Sequence, residues 1–243
     1  GGEILALEAV RVATTTTSFL AEKLRSKGKE VYVVRNQLSK QDVIWAADAL
    51  AKKVNSHKLS VNHPIRIGYL SGTPSHNKDF ATITGALVSI LEQYPMVKLV
   101  LAGPLDTESA LTRYTDRIER VPFVPRSELF GVIASLDINL APLEIDNPFC
   151  ESKSELKWFE AGIVSVPTIA SATQTFREAI TDGVDGYVAM TEAEWQEKLE
   201  HLITDSEARH AMGARAREAV LARYTTEATD SAYVEYLHRI LQK

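Results

Sequence analysis

Cysteine is nearly absent: Cys150 is the single thiol in 243 residues. One cysteine closes no internal disulfide, and with no leader pattern at the N-terminus it sets the expectation of a reducing cytoplasm. Long apolar runs are also missing. None approaches the roughly 20 residues that a membrane helix needs, so membrane association is expected only through other parts of the protein. There is no excess of positive charge. The 27 Lys and Arg against 32 Asp and Glu leave a formal charge of −5, which argues against nucleic acid as a partner. Neither a GxGxxG fingerprint nor a P-loop occurs. The six histidines show no metal-ligand spacing. The chain opens Gly1-Gly2 with no methionine, so a segment of a longer protein is expected.

What is present is globular in proportion: 45% hydrophobic and 24% charged residues. The first part reads as a strand near 11–14, a helix over 18–26 that stops at Gly28, a strand over 31–34 and an alanine-rich helix over 41–54. Residues 55–64 are polar and aperiodic, and read as a linker. Two domains are therefore expected, 1–60 and 61–243. From residue 65 the rhythm is regular. A strand over 65–70 precedes a helix over 79–93, with Phe80, Ile83, Leu87, Ile90 and Leu91 on one stripe. Further strands are expected over 98–102 and near 118–122, 138–143, 166–171 and 186–189. Strand–helix alternation with apolar strands predicts an α/β fold, a Rossmann-like doubly wound parallel sheet of six strands. Ligands of such sheets sit outside the carboxyl ends of the strands. Thr191-Glu-Ala-Glu194 is a capping box that opens a helical C-terminal part, with two more helices over 207–224 and 227–242.

The stretch Asn147-Pro-Phe-Cys-Glu-Ser-Lys-Ser-Glu-Leu-Lys-Trp-Phe-Glu-Ala-Gly162 carries the most chemistry. Ser152-Lys-Ser-Glu155 fits a capping box and predicts a helix N-terminus at Lys153. The amides of Lys153, Ser154 and Glu155 would then face the cleft, where a helix N-terminus favours a phosphate. Lys153 adds a formal charge. Glu160, two turns on, is placed to accept hydrogen bonds from a ribose diol. The plainer alternative is an ordinary capped helix, since Glu155 beside a phosphate is electrostatically awkward. Gly68-Tyr-Leu-Ser-Gly-Thr-Pro-Ser-His-Asn-Lys-Asp79 ends the first strand of the large domain. Gly72 lets the backbone approach a ligand, and His76 and Lys78 are within reach of its phosphates; the alternative is a turn with a solvated lysine. Val121-Pro-Phe-Val-Pro-Arg126 lies beside the same cleft, where Phe123 and Val124 would hold a base through backbone groups. Trp158 reads as core or domain interface rather than as a sugar platform.

In their order, these pieces resemble the C-terminal domain of GT-B glycosyltransferases. The relevant group is the large retaining family that includes bacterial mannosyl-, rhamnosyl- and glucosyltransferases (family 4). The elements are Val33-Val-Arg-Asn36, the glycine loop with its lysine, a strand closing in Ala102-Gly-Pro104, the Val-Pro-Phe-Val loop, Ala141-Pro142 and Glu160-Ala-Gly162. Val166-Pro-Thr-Ile-Ala-Ser171 and the Asp-Gly turn of 182–186 complete the set. The resemblance spans residues 10–240. It implies that Glu160 is the later of two glutamates eight positions apart, the one that holds the donor ribose. Eight positions back stands Ser152, with Glu151 one residue off, so Glu151 and Ser152 are the candidates for the catalytic contact with the sugar ring. Lys78 matches the loop lysine that binds diphosphate. No arginine lies in 67–77, which leaves His76 or Lys153 to compensate.

The resemblance further implies a hexosyltransferase that uses a nucleotide-diphosphate sugar, and a glycan or lipid-linked glycan acceptor in surface polysaccharide synthesis. It also implies a partner N-terminal domain that is mostly outside this chain. No cofactor and no metal are expected. The nearest look-alikes of an Asp-x-Asp metal motif, Asp137-Ile-Asn139 and Glu144-Ile-Asp146, read as structural. Two other classes compete: a non-catalytic nucleotide-binding or scaffold module, and a GT-B nucleotide-sugar epimerase.

Overall fold

The computed structural model describes residues 10–57, 64–73, 76–228 and 232–242. Strands β1 (Val12–Thr15) and β2 (Glu30–Val33) form a parallel pair linked by helix α1 (Ser18–Arg25), which Thr17 caps by accepting from the Leu20 amide. Helix α2 (Lys40–His57) continues three residues into the stretch expected as linker, and 58–63 lie outside the described residues. Leu38, Ala46 and Ala49 are buried in one cluster with Phe130 and Phe159, so α2 packs onto the large domain.

The large domain is a six-stranded sheet: β3 (Ile65–Leu70), β4 (Val97–Ala102), β5 (Ile118–Val121), β6 (Ile138–Ala141), β7 (Thr168–Ser171) and β8 (Tyr187–Ala189). Its order is β5-β4-β3-β6-β7-β8, with every neighbouring pair parallel. This is the doubly wound architecture expected from the alternation. The chain leaves β3 in one direction for β4 and β5, then returns to its other side for β6. That reversal opens a crevice at the carboxyl ends of β3 and β6. The strands alternate between two cores: Leu99 and Leu101 face one, Val100 the other.

Helices α5 (Arg126–Ala134), α7 (Leu156–Gly162), α8 (Gln174–Ala179) and α10 (Ser206–Arg223) cover the Val100 side together with α2. Helices α3 (Asn77–Ala81), α4 (Thr84–Gln93) and α9 (Glu192–Thr204) cover the other, with a kinked 3-10 segment, Ser109–Arg117. The single helix expected over 79–93 is two. Ile83 leaves helical geometry at φ −116°, ψ 6° while remaining fully buried, so the apolar stripe survives the break. The capping box at Thr191 and Glu194 forms as predicted.

A short helix, α6 (Pro148–Glu151), precedes α7, and α11 (Ala232–Leu241) closes the chain. Helix α11 returns to the N-terminal pair. Tyr32 on β2 stacks on Tyr233 and Tyr236 at centroid distances of 5.7 and 4.6 Å, and Arg239 pairs with Glu30 at 3.1 Å.

Candidate functional site

A cavity of about 680 Å³ opens at the crevice between β3 and β6. Its walls come from the segments after β3, β4 and β5 and from the chain between α6 and the second turn of α7. The ends of β3 and β4 approach closely there. Gly103 sits at φ +80°, where an added Cβ would overlap the Ser71 carbonyl, so this wall requires glycine.

Glu160, buried on α7, lines the cavity and anchors one network of charges. Its Oε1 accepts from Arg126 Nη1 at 2.6 Å, and Arg126 Nε donates to Asp42 Oδ1 at 2.7 Å. Burial raises the pKa of Glu160 above the usual carboxylate range, against the pull of Arg126 and Lys157. Burial acts on Asp42 in the same sense, but hydrogen bonds from Arg126 and Ser39 outweigh it and hold its pKa down. Through Asp42, helix α2 reaches the site.

A second network is organised by Asp79, which is buried and does not itself line the cavity. Its Oδ2 accepts from Lys153 Nζ at 2.6 Å and pairs with His76 Nδ1 at 3.0 Å. Its Oδ1 accepts from the Cys150 thiol at 3.2 Å and from the Glu144 amide at 3.4 Å. Burial works to raise its pKa, but His76, Lys153 and Cys150 prevail and bring it down to about 2. Lys157 also lines the cavity, within electrostatic reach of Glu160, Lys153 and Asp79. Its Nζ donates to the Leu70 carbonyl and lies 4.9 Å from the centroid of the Tyr69 ring. Burial pushes its pKa down to about 8.

Gly72, His76, Phe123, Val124, Lys153, Ser154 and Glu160, all singled out in the sequence, line this cavity. Four other candidates do not, and one local structure differs. Lys78 is exposed on α3, outside the lining. No helix starts at Lys153. Pro148 at the start of α6 makes a separate turn capped by Asn147, the Lys153 amide bonds the Cys150 carbonyl, and α7 begins at Leu156. The amides of 153–155 therefore do not open a helix toward the cavity. Glu155 caps nothing through its side chain: fully buried, its Oε1 accepts from Arg35 and from the Tyr224 hydroxyl, each at 2.8 Å. Ser152 Oγ donates to the Phe149 carbonyl, and Glu151 Oε2 accepts from the Gln174 amide. Glu151 lines a second cavity of about 550 Å³, bounded by α1 and α8.

Arg126, Lys157 and Asp79 were not singled out. Two of them had a legible signal. Arg126 ends the Val-Pro-Phe-Val-Pro-Arg loop, and Lys157 precedes Glu160 by three residues, hence on the same helix face. Trp158 is core, with Nε1 donating to the Asp185 carbonyl at 2.9 Å. The Asp-x-Asp look-alike is occupied in the sheet: Asp137 accepts from the Arg66 amide, and Asn139 donates to Thr168 and to the Lys157 carbonyl. Among the described residues, Asp79, Glu144 and Cys150 bring their ligand atoms within 4.8 Å of one another. A cation there would meet the ammonium of Lys153 already bound to Asp79. In the described residues no helix is long and apolar enough to cross a membrane.

The sequence profile of a family described as "Glycosyl transferase-like" matches residues 85–233, more than half of the chain. The chain belongs to this glycosyltransferase family. No protein of curated function matches it by sequence. Among solved structures, HepE of Anabaena in complex with UDP and glucose is 14% identical. The match covers 94% of this chain and 63% of that one, with a TM-score of 0.72. Sucrose-phosphate synthase of Thermosynechococcus elongatus is 19% identical over 95% of this chain and 58% of that one, with a TM-score of 0.67. WaaG, a glycosyltransferase of lipopolysaccharide biosynthesis, is 14% identical over 86% of this chain and 58% of that one, with a TM-score of 0.67. These similarities give the fold: the glycosyltransferase chain has the GT-B type of architecture and spans less than two thirds of the length of these structures.

Proposed function

We propose that the 680 Å³ cavity is the donor site of a hexosyltransferase and takes a nucleotide-diphosphate sugar. The observation that carries this reading is the arrangement of charge at the carboxyl ends of the strands. A buried carboxylate, Glu160, lines the cavity together with nitrogen donors from Lys153, Lys157 and His76. The carboxylate suits a ribose diol, and the nitrogen donors suit a diphosphate. The loop of Phe123 and Val124 offers an apolar wall to a base. During transfer, negative charge builds on the β-phosphate as the bond to the anomeric carbon breaks. Fixed cations at that point lower the barrier without a metal. The resemblance to the retaining family supports retention of stereochemistry. WaaG's role in lipopolysaccharide synthesis supports a glycan or lipid-linked glycan acceptor and a surface-polysaccharide setting. The acceptor would be held by an N-terminal domain of which 1–60 are the end, in a cytoplasmic protein associated with membranes only through other parts.

One observation favours a non-catalytic nucleotide-binding module instead: Glu151 bonds the Gln174 amide and lies outside the cavity, leaving the sugar-contacting carboxylate unfilled. Donor hydrolysis by the chain joined to its remaining N-terminal part separates the two readings. The site itself is tested by calorimetric titration with UDP, GDP, dTDP and ADP in the absence of metal, beside Glu160→Ala. One nucleotide is expected to saturate, and the variant to bind it roughly tenfold to a hundredfold more weakly, as loss of a hydrogen bond to a charged group implies. If all four nucleotides fail to bind, or the variant binds as well as the parent, the donor-site reading is wrong.

A further inference from the structure

The geometry points to Lys157 as the residue that receives the donor's diphosphate, exchanging the Leu70 carbonyl for a phosphate oxygen. This rests on the donor-site reading above. Four side chains that line the cavity can carry positive charge, and three already have carboxylate partners. Arg126 is held by Asp42 and Glu160, and Lys153 and His76 are held by Asp79. Among the described residues Lys157 alone of the four has no ion-pair partner; its ammonium rests on the Leu70 carbonyl and the face of Tyr69. A backbone carbonyl carries only a partial charge, so a partly buried ammonium there is under-compensated. Its stem rises from α7 three residues before Glu160, on the same face. Leu70 ends β3 beside the crevice. An anion whose ribose lies at Glu160 therefore has Lys157 one helical turn away in the same lining.

The charged and titratable groups around Lys157 come from several elements. Glu160 on the same helix and Asp79 on α3 favour its charged form, Lys153 on the preceding turn opposes it, and Tyr69 on β3 lies beneath it. With burial the dominant effect, the amine of the empty site loses its proton near pH 8. A bound diphosphate restores the charged form, so above that pH the amine takes one proton from solvent as the ligand binds.

The test uses UDP-glucose, GDP-mannose and dTDP-glucose, whose diphosphates have no group that titrates between pH 7 and 9. The one that binds is titrated calorimetrically across that range in buffers of different ionisation enthalpy. Uptake of close to one proton is expected at pH 9, with affinity roughly tenfold weaker than at pH 7, the linkage of a single group of pKa near 8. In Lys157→Arg the guanidinium does not titrate, so its affinity is expected to be level across the range. In Lys157→Met affinity is expected to be at least tenfold lower at pH 7 and likewise level. The parent chain alone decides the matter if either variant folds poorly: no proton uptake at pH 9 overturns the inference. So does a pH dependence that persists in Lys157→Arg. If none of the three sugars binds the parent at pH 7, the donor-site reading fails first, and this inference with it.

Discussion

Asp79 shows how one side chain sets the electrostatics behind part of the cavity wall. It is buried, holds four donors from three segments, and its pKa falls to about 2. A carboxylate whose folded pKa is depressed stabilises the fold at pH above its unfolded pKa, and that stability is lost as pH falls through the folded value. Between the ordinary value near 3.8 and about 2, the contribution is about 2 kcal/mol. Asp79→Asn should therefore lower stability by about that amount at pH 7, and the gap to the parent should close between about pH 5 and pH 1. Urea unfolding at a series of pH values reads this directly, and a gap that does not narrow on acidification would count against the assignment. Arg126 offers a second measurement. It is the hydrogen-bond donor that Asp42 and Glu160 share, and it is 42% exposed. Removing it in Arg126→Ala leaves two buried carboxylates without that partner. A loss of about 2 kcal/mol is expected, below the usual figure for a buried pair because water reaches the guanidinium. Of the two, only Arg126 had a signal in the sequence. Asp79 follows a lysine on what reads as a helix start, and nothing local says that it turns inward. Glu160 was legible because its position in a long ordered set of motifs specified it.

At the scale of elements, legibility followed how local the determining interactions are. The strand–helix alternation from residue 65 onward depends on apolar runs and their period, and those are written in order along the chain. The box at Thr191–Glu194 forms because both partners are free to serve it. The similar pattern at Ser152–Glu155 does not form, because Glu155 is taken by Arg35 and Tyr224, more than sixty residues away on either side. Non-local demand overrode a local signal. Pro148 behind Asn147 then starts α6 early. Helix α10 is governed by a similar distant contact. Gly213 lies against the turn after α7, where an added Cβ would overlap the Ser165 carbonyl. Alanine is the better helix former by about 1 kcal/mol. Gly213→Ala should nonetheless destabilise the chain by about 1–3 kcal/mol, since backbone rather than a flexible side chain must yield. A raised melting temperature for this variant would show that the turn at Ser165 gives way freely.

Among the described residues, polar ties and aromatic stacking join the N-terminal pair to the rest of the chain. Ser18 donates to Glu178, Asn36 donates to Ser154, and Tyr32 stacks on α11. The most consequential tie is Arg35 with Glu155. The glutamate is fully buried, while the arginine is 34% exposed and also reaches Glu178 at 3.1 Å. Glu155 stands between Ser154 and Lys157, which both line the cavity, so the junction of the two parts is continuous with the site's wall. In Arg35→Ala the buried carboxylate keeps only the Tyr224 hydroxyl, and losing one partner of a buried pair is costly. The expected loss is about 3 kcal/mol, at the low end for such pairs because Arg35 is partly hydrated. Arg35→Ala combined with Glu155→Gln should recover most of it, since a neutral amide bears the same burial with less penalty. The two substitutions should therefore be strongly non-additive in a double-mutant cycle read by urea unfolding. Additive losses would mean that Glu155 draws its compensation from elsewhere and that the junction does not steady the cavity wall. Strong coupling would make the N-terminal part, whose last residues supply Arg35, a structural component of the site rather than a neighbour of it.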